Sequence, residues 1–186
     1  LKEFEQLGAI LIEVDTSFAY DALANCFTIA TAEVGYVHKN AFPDSLHKYG
    51  DDVREALISS QSISSSQYID ALMKQKEITT NAKCVFDTVD ILATPTLPVP
   101  ATKIGELTTI IDGQEADVFS TMISLTCLFD LTGQPALSLP CGLSSSGLPV
   151  GLQLVANHNR EDLLIRAGFS FEEAALSDLY RKRAML

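Results

Sequence analysis

The chain has 186 residues, a size that fits one globular domain with a sizeable core. Its 47% hydrophobic and 20% charged residues are typical of a folded globular protein and exclude a disordered chain. The net charge of −11 argues against nucleic acid as a partner, because a phosphate backbone is bound by a basic surface.

The first predicted elements are the end of a helix, a strand and a long helix. Apolar residues at positions 1, 4 and 7, followed by Gly8, are typical of the last turns of a helix and its C-cap. Residues 9–14 are a compact apolar run that predicts a strand, and residues 17–38 predict a helix with one apolar face. Because natural chains seldom begin inside a helix, we expect the sequence to be part of a longer protein.

Two more helices and a strand are predicted next. Acidic residues at 51 and 52 lead into a short helix over residues 53–60, and residues 64–87 predict a second long helix. The run of serines at the start of that helix suits an N-cap, so it needs no catalytic role. Residues 90–94 are a short apolar strand, after which successive prolines require an extended chain.

The last part of the chain predicts a helix, a β-hairpin and a final helix. The helices are expected over residues 116–128 and 162–176. Residues 136–139 and 150–155 alternate apolar and other side chains around a Ser-Ser-Ser-Gly turn, which predicts an antiparallel hairpin. The alternation of helices and strands along the whole chain indicates an α/β fold.

Metal, disulfide and membrane patterns are not found in the sequence. The four Cys lie far apart without a C-x-x-C pair, and the three His show no ligand spacing, so we expect no metal site and no cofactor. Cys26, Cys84 and Cys127 have apolar neighbours and are predicted to be buried. Apolar stretches fall short of the roughly 20 residues of a membrane span, and no signal peptide is present, so we expect a cytoplasmic protein without a membrane partner.

Four phrases in the second half carry a family resemblance. They are DILATPTLPVPA, FDLTGQPALSLPCG, SGLPVGLQLVA and EDLLIRAGFSFEEA, and in that order they resemble the C-terminal part of the amidase signature hydrolases. LGAILIEVD and AEVGYVHKN extend the resemblance over nearly the whole chain. The resemblance implies a three-layer α/β/α fold with a mixed sheet. It also implies that residues 1–186 are one domain, the C-terminal portion of an amidase signature domain without its N-terminal catalytic portion.

The resemblance implies amide hydrolysis by a Ser nucleophile, a second Ser with a cis peptide bond and a Lys base. In the family all three residues lie upstream of the part that this chain matches. No substitute is found, because residues 64–66 lack flanking glycines and residues 144–146 belong to the hairpin turn. We therefore expect no catalytic residue here and a chain that is inactive by itself, supplying scaffold and pocket elements.

In the family, the helix before the LTG-P phrase and the loop entering it lie near the acyl-binding cavity. The resemblance therefore implies Ile123, Cys127 and Phe129 as substrate-binding candidates, although a core position suits each equally well. Asp130 stands where the family phrase usually has Asn. We expect its carboxylate to bond backbone N–H groups of the turn at residues 131–133, with a substrate contact as the alternative.

Three functions stay open at this point. The chain is part of an amidase for small amides whose N-terminal half of the same fold carries the catalytic residues, the A subunit of a glutamine-dependent aminoacyl-tRNA amidotransferase, or a non-catalytic remnant that stands alone. Subunits of the second kind hold glutamine with an Arg and an acid, and Arg54 is not convincingly placed for that role, so the amidase is preferred. An incomplete sheet would leave an unpaired edge and an apolar face, which predicts self-association of the isolated chain.

Overall fold

A computed structural model describes residues 1–41 and 43–176. In this part the chain forms helices and strands in the order α1 (Lys2–Gln6), α2 (Ala22–Val37), α3 (Asp51–Ser60), α4 (Ser65–Val85), β1 (Ile91–Pro95), β2 (Thr108–Ile111), β3 (Gln114–Asp117), α5 (Val118–Ile123), α6 (Cys127–Thr132), β4 (Ala136–Leu143), β5 (Pro149–Ala156) and α7 (Glu161–Phe171). A π-helical turn, Glu172–Leu176, extends α7. No helix in the described ranges combines the length and apolar composition that crossing a bilayer requires.

Strands β1, β5 and β4 form an antiparallel sheet with β5 in the centre. Thr94 and Ser138 lie opposite Gln153 on either side, so these three side chains share one face of the sheet. The hairpin of β4 and β5 confirms the strand pair predicted from the alternating pattern, with a register shift between Pro140 and Gly142.

Both faces of this sheet are covered by helices. On one face, Leu152 and Leu154 pack in a cluster with Leu164 and Phe171 of α7. Gly168 lets α7 approach β4 on the same face, because an added Cβ would lie 2.6 Å from Leu137 Cδ2. The other face contributes Leu92 and Val155 to a cluster with residues of α2, α4 and α6, namely Ala22, Ile29, Ala71, Ile78, Leu128, Phe129 and Leu131. The predicted three-layer α/β arrangement is confirmed, and the strands in the described part pair only antiparallel.

The long helices begin and pack as their sequences dictate. Ser64 and Gln67 form a capping box, in which each side chain bonds the backbone N–H of the other, and this fixes the start of α4 where the serine run predicted it. Helix α3 lies against α2 at Gly35, where an added Cβ would lie 2.3 Å from Ser60 Oγ. The crossing of these two helices therefore depends on a residue without a side chain.

Two predictions about the elements are wrong. Residues 9–14 form no strand, and Ile10 is 87% exposed. A strand needs a neighbour to pair its N–H and C=O groups, and none lies beside this segment in the described residues. Residues 116–128 form no single helix, because β3 continues to Asp117 and the helix is interrupted between α5 and α6.

The hairpin of β2 and β3 was not predicted. Among the described strands these two pair only with each other, and the turn places Asp112 and Gly113 at φ 50° and 79°, the conformation that an Asp-Gly pair favours in tight hairpins. The burial of the cysteines was predicted in part. Cys127 is buried as expected, Cys26 is half-buried, and Cys84 is exposed because it lies on the solvent side of α4.

Candidate functional site

The three residues predicted to bind substrate lie on one short segment around the interruption between α5 and α6. Ile123 is the last residue of α5 and is half-buried, whereas Cys127 opens α6 and is only 2% exposed. Phe129 is buried in the cluster that joins α6 to α2 and α4. The segment therefore holds Ile123 toward its surface and the other two against the core, and their role in binding stays a prediction.

Residues 124–126, which separate α5 from α6, form a hydrogen-bonded turn that we call the helix break. The backbone N–H groups of Ser124 and Thr126 donate to the Thr121 and Ile123 carbonyls at 3.2 and 3.1 Å. Side chains of the same segment add further bonds to carbonyls around the turn. Ser124 Oγ donates to the Thr121 carbonyl at 2.9 Å, Thr126 Oγ1 to that of Ile123 at 3.2 Å, and Cys127 Sγ to that of Ser124 at 3.5 Å.

A further bond joins the helix break to the sheet. Gln153, in the central strand β5, is 4% exposed, and its Nε2 donates to the Leu125 carbonyl at 3.0 Å and to Thr94 Oγ1 at 3.1 Å. Because a primary amide carries two N–H groups, both of its donors are satisfied. The side chain thus connects β5, β1 and the helix break at one point.

Next to Gln153 lies a pair of hydroxyl groups that joins the residue after β1 to β4. Thr96 Oγ1 and Ser138 Oγ are 2.7 Å apart, across the position of Gly151 in β5. A Cβ at Gly151 would lie 2.7 Å from Thr96 Oγ1 and 3.3 Å from Ser138 Oγ, so only glycine leaves room for this pair. We call Thr94, Thr96, Ser138, Gly151 and Gln153 the polar face of the sheet.

The thiols of this region are poor nucleophiles. Burial, together with the nearby Cys26 and Asp130, raises the pKa of Cys127 to about 11. Burial also raises the pKa of Cys26, with Asp130 again contributing. Because the thiolate is the reactive form, neither cysteine suits nucleophilic catalysis at neutral pH.

Other candidates from the sequence have structural roles. Ser64 caps α4, and Ser144 Oγ bonds Ser146 Oγ and the Leu148 N–H within the hairpin turn. Arg54 forms an ion pair with Asp51 on the same helix. No group of three or more His, Cys, Asp or Glu side chains that could hold a metal occurs among residues 1–41 and 43–176.

The bond predicted for Asp130 does not form in the described structure. The turn at residues 131–133 is satisfied instead by Gly133, which takes φ 72° and donates its N–H to the Phe129 carbonyl at 2.8 Å. This is the left-handed C-cap that glycine favours, and it leaves the exposed Asp130 carboxylate without a role in the turn.

The polar face was not predicted, although the sequence holds a signal for it. β5 is apolar at residues 152, 154 and 155, and Gln153 is the polar residue in that run. A buried amide in an apolar strand must have hydrogen-bond partners, which indicates that other polar groups lie against the sheet at this residue.

The family model described as Amidase matches residues 1–165. Among curated relatives, the glutamyl-tRNA(Gln) amidotransferase A subunit of Halothermothrix orenii is 31% identical over 198 residues, which cover 94% of this chain and 40% of the relative. The corresponding protein of Oceanobacillus iheyensis is 29% identical over 210 residues, covering 100% of this chain and 42% of the relative. The chain thus spans about 40% of the length of these relatives.

Solved structures agree with this match. A crystal structure described as an amidase superposes with a TM-score of 0.88 at 24% identity, covering 94% of this chain and 40% of that one. The glutamyl-tRNA(Gln) amidotransferase A subunit of Thermotoga maritima gives a TM-score of 0.70 at 28% identity, covering 94% and 37%.

Proposed function

This chain belongs to the amidase family, the amidase signature hydrolases, and from that membership we propose that it is the C-terminal part of an enzyme that hydrolyses small carboxylic amides. The observation that carries the proposal is the family match over residues 1–165, in a chain that spans only about 40% of its relatives. The chain supplies scaffold and pocket elements, and the remaining part of the domain supplies the Ser, cis-Ser and Lys that the family uses. We place the protein in the cytoplasm as a prediction.

In the reaction that we propose, the rest of the domain supplies the catalytic residues and this chain supplies a binding surface. The catalytic serine attacks the amide carbonyl, backbone N–H groups stabilise the tetrahedral intermediate, an amine or ammonia leaves, and water cleaves the acyl-enzyme. The contribution of this chain is to bind the acyl group beside the helix break. Ile123 and Cys127, which flank the break, and Phe129 behind it are the residues that we propose for this surface.

The remaining part of the domain is also the partner that we propose for the exposed apolar surface. Ile10 is 87% and Ile12 is 55% exposed in a segment that pairs with no described strand. Strands β1 and β4 each have one neighbour among the described strands, so an edge of each is open. Open strand edges and exposed apolar segments favour association, so we expect the rest of the domain to cover them.

Turnover tests the enzymatic part of this proposal. The protein, in the form in which its organism makes it, should release ammonia or amine from simple aliphatic and aromatic amides, and the isolated 186-residue chain should release none. If the complete protein leaves every tested amide intact, the proposal is wrong. Turnover by the isolated chain would show that a nucleophile outside the family pattern exists in it.

Association of the isolated chain tests the surface. We expect it to self-associate and to bind a hydrophobic dye, and we expect Ile12→Asp to lower dye binding. Ile69→Asp is a matched control, since Ile69 is also 55% exposed but lies on α4. If the isolated chain stays monomeric and does not bind the dye, the proposal that the rest of the domain covers this surface is wrong.

The runner-up is the A subunit of a glutamine-dependent amidotransferase that acts on aminoacyl-tRNA. The names of the curated relatives favour it, whereas the ion pair of Arg54 with Asp51 gives no support for an Arg that holds glutamine. Glutamine as the preferred amide and co-purification with further subunits would identify it. A non-catalytic remnant is the third candidate, and an in-frame Gly/Ser-rich signature upstream of the Leu1 codon would remove it.

A further inference from the structure

We propose that Gln153 is a positioning residue for the acyl-binding surface: its side-chain amide holds the helix break, and with it Ile123 and Cys127, at a fixed place on the sheet. This inference rests on the proposed function for its consequence in catalysis, but its structural part can be tested separately.

The bonds of the amide determine both its place and its orientation. Nε2 lies 3.0 Å from the Leu125 carbonyl and 3.1 Å from Thr94 Oγ1, and the side chain is 4% exposed. Strand β5 pairs on both sides, so the Cα of Gln153 lies in the most constrained strand of the described sheet. Thr94, directly opposite on β1, orients the amide so that its second N–H points at the helix break.

The helix break depends on this bond in a way that its other bonds do not replace. Ser124, Thr126 and Cys127 donate to carbonyls within four residues of themselves, so these bonds fix the shape of the break. The donor to Leu125 comes from a residue 28 positions away in the sequence. This bond therefore ties the break directly to the sheet, in addition to the packing of α6 in the core, and its loss leaves a half-buried carbonyl without that partner.

Position matters here because the proposed pocket residues flank the bonded carbonyl. Ile123 and Cys127 each lie two residues from Leu125, at the ends of α5 and α6. A shift of the break therefore moves both side chains together. Substrate binding by this surface should depend on Gln153, although the Gln153 side chain is 4% exposed and is not proposed to touch the substrate.

The first test measures how well Cys127 is protected. Gln153→Met keeps the length of the side chain and removes both donors. Gln134→Met is the matched control, since Gln134 is 5% exposed and its Nε2 has no hydrogen-bond partner within the described residues. Modification of Cys127 by N-ethylmaleimide is followed by peptide mass spectrometry in the protein as its organism makes it.

The expected rates follow from the protection of the thiol. Burial is the main cause that holds the pKa of Cys127 at about 11 against an ordinary 9.0, so opening the break should speed modification of Cys127 by up to about 100-fold at pH 8. The Gln134 variant should stay within about threefold of the unchanged protein. If the Gln153 variant does not fold, Thr94→Val, which removes only the orienting acceptor, should still speed modification several-fold. Unchanged rates in the folded variants would overturn the inference.

The second test separates positioning from a general loss of structure. In the complete enzyme, Gln153→Met should raise KM for bulky acyl amides about tenfold while kcat stays within about threefold, the pattern of lost binding that is uniform along the reaction. Faster Cys127 modification with an unchanged KM would overturn the role in substrate binding. If the unchanged enzyme hydrolyses no amide, the proposed function fails, whereas the modification rates still decide whether Gln153 holds the break.

Discussion

The contact between α2 and α3 makes a strong prediction about a single added methyl group. In Gly35→Ala the new Cβ would lie 2.3 Å from Ser60 Oγ and 2.5 Å from Ser60 Cβ, whereas ordinary contact begins at 3.4 Å. Rotation of the Ser60 side chain can move Oγ but not Cβ, so the two helix backbones must separate by roughly 1 Å. Overpacking of this kind costs about 1 to 3 kcal/mol.

When Ser60 is replaced by glycine, Gly35→Ala is expected to stabilise the protein instead of destabilising it. Ser60→Gly removes both clashing atoms and leaves Ser60 Cα, which would lie 3.8 Å from the new Cβ, at an ordinary distance. Gly35 lies inside α2, where Ala is favoured over Gly by about 1 kcal/mol, so Gly35→Ala should stabilise the Ser60→Gly protein. The coupling between the two substitutions is then about 2 to 4 kcal/mol.

Hydrogen exchange of peptides from α2 and α3 measures this coupling, because it reads local opening without requiring two-state unfolding of the whole chain. We expect Gly35→Ala to speed exchange about 5- to 150-fold, and the double variant to exchange no faster than Ser60→Gly alone. A Gly35→Ala protein with unchanged exchange would refute the reasoning. The reasoning would also be refuted if Gly35→Ala sped exchange equally in the unchanged protein and in the Ser60→Gly protein. The destabilisation would then not come from the contact with Ser60.

Two further predictions concern the polar face and the start of α5. Gly151→Ala should separate the hydroxyls of Thr96 and Ser138 and destabilise the sheet by about 1 to 3 kcal/mol, seen as faster hydrogen exchange in β4 and β5, and unchanged exchange would contradict the close approach. The pKa of Asp117 is lowered from 3.8, chiefly because its carboxylate accepts a bond from the Ser120 N–H. A depressed pKa means that this cap stabilises α5 above pH 3.8 and is lost as the pH falls through the lower folded value. The Ser120 amide chemical shift should therefore titrate with a midpoint below 3.8, and a midpoint above it would contradict the cap.

The elements that the sequence predicts well are those whose signals are local. The serine run indicates the start of α4, where Ser64 is the N-cap, and period-two alternation indicates β4 and β5. The helix break has no such signal, because apolar side chains at residues 118, 122, 125 and 128 continue the spacing of one helix through it. The bond that ties it to the sheet comes from Gln153, which is distant in sequence, and no local pattern shows that bond.

The candidate site, too, could be predicted from the sequence only in part. The family resemblance directed attention to the segment of Ile123, Cys127 and Phe129, which the structure places around the break. It gave no indication of the polar face, since Thr94 and Thr96, in and just after β1, come close to Ser138 of β4 only after folding. The strand predicted at residues 9–14 was wrong for a related reason, because strand formation depends on a neighbour as well as on composition.

The isolated pairing of β2 with β3 has a consequence for how relatives diverge in length. Alignments with the two relatives extend over 198 and 210 positions although this chain has 186 residues, so extra residues must be accommodated somewhere. Lengthening a connection that pairs only with itself costs little loop entropy and cannot shift the register of β1, β5 and β4. A change in the length of this hairpin would therefore leave the pairing of the three-stranded sheet unaltered.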